Sequence, residues 1–170
     1  MTRTSWPAVG VATLIFIASQ GHLGYLVHQL RPNILVLQLC FDADRYWAIL
    51  GQWGEVGLQH YRAHLPYDFV HLLVYAAFGV VVATRAGLFA EAERTAARCT
   101  AWILPLAALF DLGENLLQLH LLGGPFGGAN PAVPLSACCS AVKWGLVVAF
   151  ALIVAWRVLR KSARIGLLSQ

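Results

Sequence analysis

The stretch LSACCSAVKWGLVVAFALIVAWRV, Leu135–Val158, carries a single charge, Lys143, before Arg157 near its end. A run of this length and polarity fits the roughly 17 to 25 residues that a helix needs to cross about 30 Å of hydrocarbon. Three runs of the same kind lie upstream, at about 7–28, 66–84 and 100–122. Backbone groups inside lipid must bond within their own segment, so each run predicts a helix. The expected fold is all-α: a four-transmembrane-helix bundle in one integral membrane domain over 1–170. The first run is read as a span and not as a cleaved signal peptide.

Composition agrees. Apolar residues make up 59% of the chain and DEKR only 12%, against about 25% charged in an average soluble domain. Too little polar surface remains to coat a water-soluble globule. The net charge of +4 is not gathered into a basic stretch interleaved with aromatics, so no nucleic-acid partner is expected. Cys40, Cys99, Cys138 and Cys139 form no C-x-x-C pair of a redox or zinc site and read as small packing residues.

Lys and Arg set the orientation. Arg3, Arg85, Arg94, Arg98, Arg157, Arg160, Lys161 and Arg164 fall on one side, Arg31, Arg45 and Arg62 on the other, and Lys143 within a span. By the positive-inside rule the first group, with both termini, is cytoplasmic. Trp6, Trp102 and Trp156 mark that interface, while Tyr46, Trp47, Trp53, Tyr61 and Tyr67 gather at the other. Residues 123–134 form an uncharged turn rich in Gly and Pro. Residues 29–65 make a long outer loop whose best apolar run, Ile34–Phe41, is too short to span. Asp42 could cap a helix in which Tyr46, Leu50 and Trp53 share a face, which predicts an amphipathic element lying on the outer surface. Such a loop fits a lid or an interfacial anchor equally well.

Polar groups inside the spans are the functional signal. The second span carries Asp68, His71 and Tyr75, and the third Asp111, Glu114, Asn115 and Gln118. The fourth carries Ser136, Ser140 and Lys143 with Trp144 beside it, and the first His22, Tyr25 and Gln29. Each set shares one helical face. At about 1.5 Å per residue, Asp68 lies roughly 4 Å in from its outer end, Glu114 and Lys143 roughly 12 Å, and Asp111 about 16 Å. The stripes therefore converge on a pocket in the outer half, roofed by the long loop and the glycine-rich turn. Each unpaired charge at mid-membrane costs about 2.5 to 3.5 kcal/mol. Three carboxyls against one ammonium leave an excess of acid, the condition for a buried general acid. The competing reading is helix glue, with Lys143 and Glu114 fixing register. His28, His60 and His64 read as solvated surface residues, and His120 lies near the end of its span.

Two stretches, Tyr61–Tyr75 (YRAHLPYDFVHLLVY) and Pro105–Asn115 (PLAALFDLGEN), carry a resemblance. The chain resembles a loosely defined family of small four-span bacterial membrane proteins. Its members carry an aspartate early in the second helix, an Asp-x-x-Glu-Asn motif in the third and a lysine in the fourth. Asp68, Asp111, Glu114, Asn115 and Lys143 match that pattern. The resemblance covers about 30–143 and implies a bacterial cytoplasmic membrane protein, but not a reaction. Small membrane sterol isomerases and terpene cyclases, which also hold acids inside helical bundles, offer an analogy only.

The leading expectation is a membrane enzyme acting by acid/base chemistry on a lipid-soluble isoprenoid, sterol-like or quinone-like molecule, by isomerisation, cyclisation or hydrolysis. Asp68, Asp111, Glu114, Lys143 and His71 are its candidate catalytic residues. His22, Tyr25, Tyr75, Asn115, Gln118 and Trp144 are its candidate substrate contacts. No cofactor or metal is expected, membrane lipids are partners, and a homo-oligomer is compatible. The alternatives are a proton-coupled transporter or relay and a haem- or metal-binding oxidoreductase, for which Asp68-x-x-His71 and Asp111-x-x-Glu114 give i, i+3 ligand spacings.

Overall fold

The computed structural model describes residues 4–168, with side chains to 163. Arg3 and the Arg164 side chain, two of the cations used for orientation, lie outside the described residues. Among the described residues the helices are α1 (Trp6–Val27), α2 (Ile34–Gln38), α3 (Ala43–Arg85), α4 (Arg94–Gly123) and α5 (Ala132–Leu168), with a 3-10 turn at Glu91–Glu93. Among the described residues there is no strand. Four helices are long and apolar enough to cross a membrane. The molecule is thus an all-α four-helix bundle.

α1 packs on α3, α3 on α4, and α4 on α5. The Ser5 amide donates to the Arg85 carbonyl at 3.0 Å, and Lys161 Nζ donates to the Gly87 carbonyl at 3.1 Å. The start of α1 and Lys161 of α5 therefore sit beside the 86–93 turn, here called the terminal end. The opposite, capped end holds α2, the first part of α3 and the 124–131 turn.

α3 differs most from expectation. It starts at Ala43 and not near Pro66, and its early part belongs to the protein core. Asp42 caps it, its side chain accepting from the Arg45 amide at 2.7 Å. Gly54, at φ 60° and ψ −170°, breaks it into two rods. A side chain rarely tolerates that conformation. Pro66 lies inside the second rod without ending it. Tyr46, Leu50 and Trp53 do share a face, but that face is buried against Leu37, Tyr61, Leu121 and Val133. The expected surface helix is therefore a folded cap. Trp53 Nε1 donates to the Pro32 carbonyl at 2.7 Å, and Trp47 Nε1 to the Gly128 carbonyl at 2.9 Å. These bonds tie the cap to both neighbouring connections.

The terminal half is apolar. Leu72, Val82, Leu104, Ala107, Ala108 and Phe150 form a second core, with Phe16 and Phe78 stacked at 4.7 Å beside it. A Cβ placed on Gly79 would meet Leu104 Cβ at 2.7 Å. Glycine there lets α3 and α4 approach closely, as small residues commonly do between membrane helices.

A candidate functional site in a sealed polar layer

Between the two apolar cores lies a layer of polar side chains. Its α3 face reads Tyr61, His64, Asp68, His71 and Tyr75, all buried. Their spacing of i, i+3, i+7, i+10 and i+14 follows one side of a helix. α4 contributes Asp111, Glu114, Asn115 and Gln118, and α5 contributes Ser136, Ser140 and Lys143, again all buried.

Lys143 is the centre. Its Nζ donates to Asp111 Oδ1 at 2.8 Å and lies 2.6 Å from Glu114 Oε2. Tyr75 donates to the other Asp111 oxygen, Oδ2, at 3.0 Å. Asp111 is thus held by a donor on each side. Glu114 is not. Its carboxyl has the 2.6 Å ion pair with Lys143 and no second donor in the hydrogen-bond geometry of the described residues. Asp68 sits apart from this trio, Oδ2 accepting from Asn115 Nδ2 at 3.0 Å.

Two flanking groups close the layer. Toward the cap, Tyr46 donates to Gln118 Oε1 at 2.5 Å, and Gln118 Nε2 donates to Ser136 Oγ at 2.9 Å. Toward α1, His71 Nδ1 bonds Ser19 Oγ at 2.8 Å, its ring stacked on Phe16. Glu114 and Ser140 are 0% exposed, so no water-sized space adjoins either. The roofed meeting point of the polar stripes is thus a closely packed layer of side chains. Clefts of about 490 and 590 Å³ open elsewhere, one at the terminal end and one beside α2.

Of the candidate residues, Asp68, His71, Tyr75, Asp111, Glu114, Asn115, Gln118 and Lys143 come together. Trp144 borders them, donating to buried Gln38 of α2 at 3.3 Å. His22 and Tyr25 do not join. Both are exposed: His22 packs edge-on to Tyr67 on the outer side of α3, and Tyr25 stacks on His28. Ser19 supplies the α1 contact in their place.

His64 is the residue that sequence reasoning missed. Expected to be solvated, it is buried, with Nδ1 unpartnered among the described residues. Its place in the Tyr61–Tyr75 stripe was the available signal. His28 is exposed as expected and His60 half-buried, while His120, near the end of its span, is exposed. Among the described residues no group of three His, Cys, Asp or Glu is arranged to hold a metal ion. Lys143 occupies the space between the two carboxylates that a cation would need. Comparison with family models, characterised proteins and solved structures finds no match to this chain.

Proposed function

We propose that this protein is a membrane enzyme whose sealed polar layer performs acid/base chemistry on a lipid-soluble molecule of isoprenoid, sterol-like or quinone-like character. One observation carries the reading: a single ammonium, Lys143, serves two buried carboxyls unequally. Asp111 has donors on both oxygens and is the fixed anion that orients Lys143. Glu114 is paired with Lys143 alone, with no second donor, and is the carboxyl we assign to hand a proton to an alkene, epoxide or carbonyl. Asp68 and the unpartnered His64 lie along the α3 face as proton acceptors. Lys143 stabilises negative charge developing beside Glu114. Isomerisation, cyclisation and hydrolysis all need this pairing of donor and acceptor.

A closed layer requires an opening for the substrate. α1 is the wall suited to move, because it packs mainly on α3 and holds the layer through one polar contact, Ser19 to His71. A transmembrane proton path is less favoured, since among the described residues the terminal half offers Leu72, Leu104 and Phe150, and its buried hydroxyl, Thr100, is spent on the Ala96 carbonyl.

In this reading both termini face the cytoplasm, on the strength of the Arg and Lys residues at the terminal end. Exposed Cys99, at that end, should then react with a membrane-impermeant maleimide only after cells are opened. Labelling of intact cells at Cys99 would reverse the orientation.

The test of function is conversion. Purified protein in nanodiscs, incubated with isoprenoid, sterol and quinone panels, should produce a product detectable by mass spectrometry. Glu114→Gln should lower turnover by roughly 100-fold or more, the usual range for a lost general acid, with helix content unchanged. Wild-type turnover in that variant would end the proposal.

A further inference from the structure

We infer that the cleft at the terminal end seats an anionic phospholipid, its phosphate on Arg98 and Arg94 and one acyl chain along α4. The cleft holds about 490 Å³ between the end of α3, the 86–90 turn and the start of α4. That volume is within the range of small-molecule sites, about 300 to 1,000 Å³.

Its walls divide by chemistry. Arg94 and Arg98, one helical turn apart, form one side, and Leu88 and Phe89 give it an apolar floor. Glu91 also lines it and pairs with Arg94, which leaves Arg98 as the surplus cation. Arg98 is exposed and makes no ion pair among the described residues. A third cation stands at the rim. Gly87, at φ 63°, lacks a side chain where Lys161 Nζ would lie 3.6 Å from a Cβ, so the ammonium comes close over the backbone. Arg94, Arg98 and Lys161 against Glu91 leave the cleft positive.

The helix face below the cleft argues for a lipid over a free anion. Arg98, Trp102, Leu106 and Leu109 fall at i, i+4, i+8 and i+11, one stripe of α4. Trp102, Leu106 and Leu109 are 71%, 45% and 64% exposed. Phosphate at the arginines, an indole at headgroup level and leucines descending from it reproduce the order of a phospholipid from headgroup to chain. A soluble phosphate would use the arginines and leave the stripe unexplained.

The experiment places the full chain in nanodiscs of equal parts phosphatidylcholine and phosphatidylglycerol and reads retained lipids by native mass spectrometry. Wild type should keep phosphatidylglycerol several-fold over phosphatidylcholine. Arg98→Gln should erase that preference, Arg98→Lys should retain most of it, and Arg160→Gln, which removes an exposed cation outside the cleft, should leave it unchanged. Should Arg98→Gln not fold, Arg94→Gln carries the same expectation. Equal loss in Arg160→Gln would reduce the effect to general surface charge and overturn the site. Displacement of the lipid by inorganic phosphate would identify a free-anion site and overturn the lipid. No preference in wild type would overturn both.

Discussion

The polar layer and the apolar core beneath it are built from the same helices, yet they differ in chemistry. In the terminal half, Gly79 against Leu104, with Ala107 and Ala108 nearby, shows that these helices pack tightly without polar contacts. One step toward the cap, the same helices bury Asp68, Asp111, Glu114 and Lys143. Packing alone therefore does not require the charges. A buried ion set is weak support for stability, because desolvation offsets most of the attraction. The contrast assigns the lower core to holding the bundle together and the upper layer to a task.

The largest expected effect breaks the upper layer. Lys143→Met should destabilise the protein by about 3 to 5 kcal/mol, the usual result of leaving buried partners uncompensated. Combining it with Asp111→Asn and Glu114→Gln should restore most of that stability while turnover stays absent. Denaturation in mixed micelles checks both. A combined variant as unstable as the single would make the layer structural and erase the contrast.

Next comes the lower core. Gly79→Ala should lower stability by about 1 to 3 kcal/mol through overpacking against Leu104, leaving turnover per folded molecule unchanged. Lost turnover there would mean that the apolar half takes part in the chemistry. Tyr46→Phe, which strips the donor from buried Gln118 Oε1, should follow at about 1 to 2 kcal/mol. The smallest effect belongs to the border. Trp144→Phe loses the 3.3 Å bond to Gln38 and should shift stability by about 0.5 to 1 kcal/mol. A large shift there would make α2 an integral part of the layer.

The spans and most of the layer were legible in the sequence because lipid imposes few rules and imposes them strictly. A charge inside an apolar run must face protein, so Asp68, Asp111, Glu114 and Lys143 identified themselves. Helix rotation was less legible. His22 and Tyr25 share a face, but a helix packed mainly on one neighbour can satisfy polar groups at its outer side, as Tyr25 does on His28. His64 was lost for another reason. Pro66 suggested the start of a span, whereas the helix runs through it, and that placed His64 outside the bundle. Its burial depends on the cap, whose packing is set by contacts across long stretches of chain. No local pattern shows those.

The cap has a consequence for how the protein is made. Tyr46 and Trp47 find their partners at Gln118 and Gly128, and Gln38 finds Trp144. A ribosome delivers residues 38–47 long before any of these. The roof can therefore close only in stages, onto α4 and the turn after it first and onto α5 last, so the acids of α3 and α4 precede both the lysine and the finished lid.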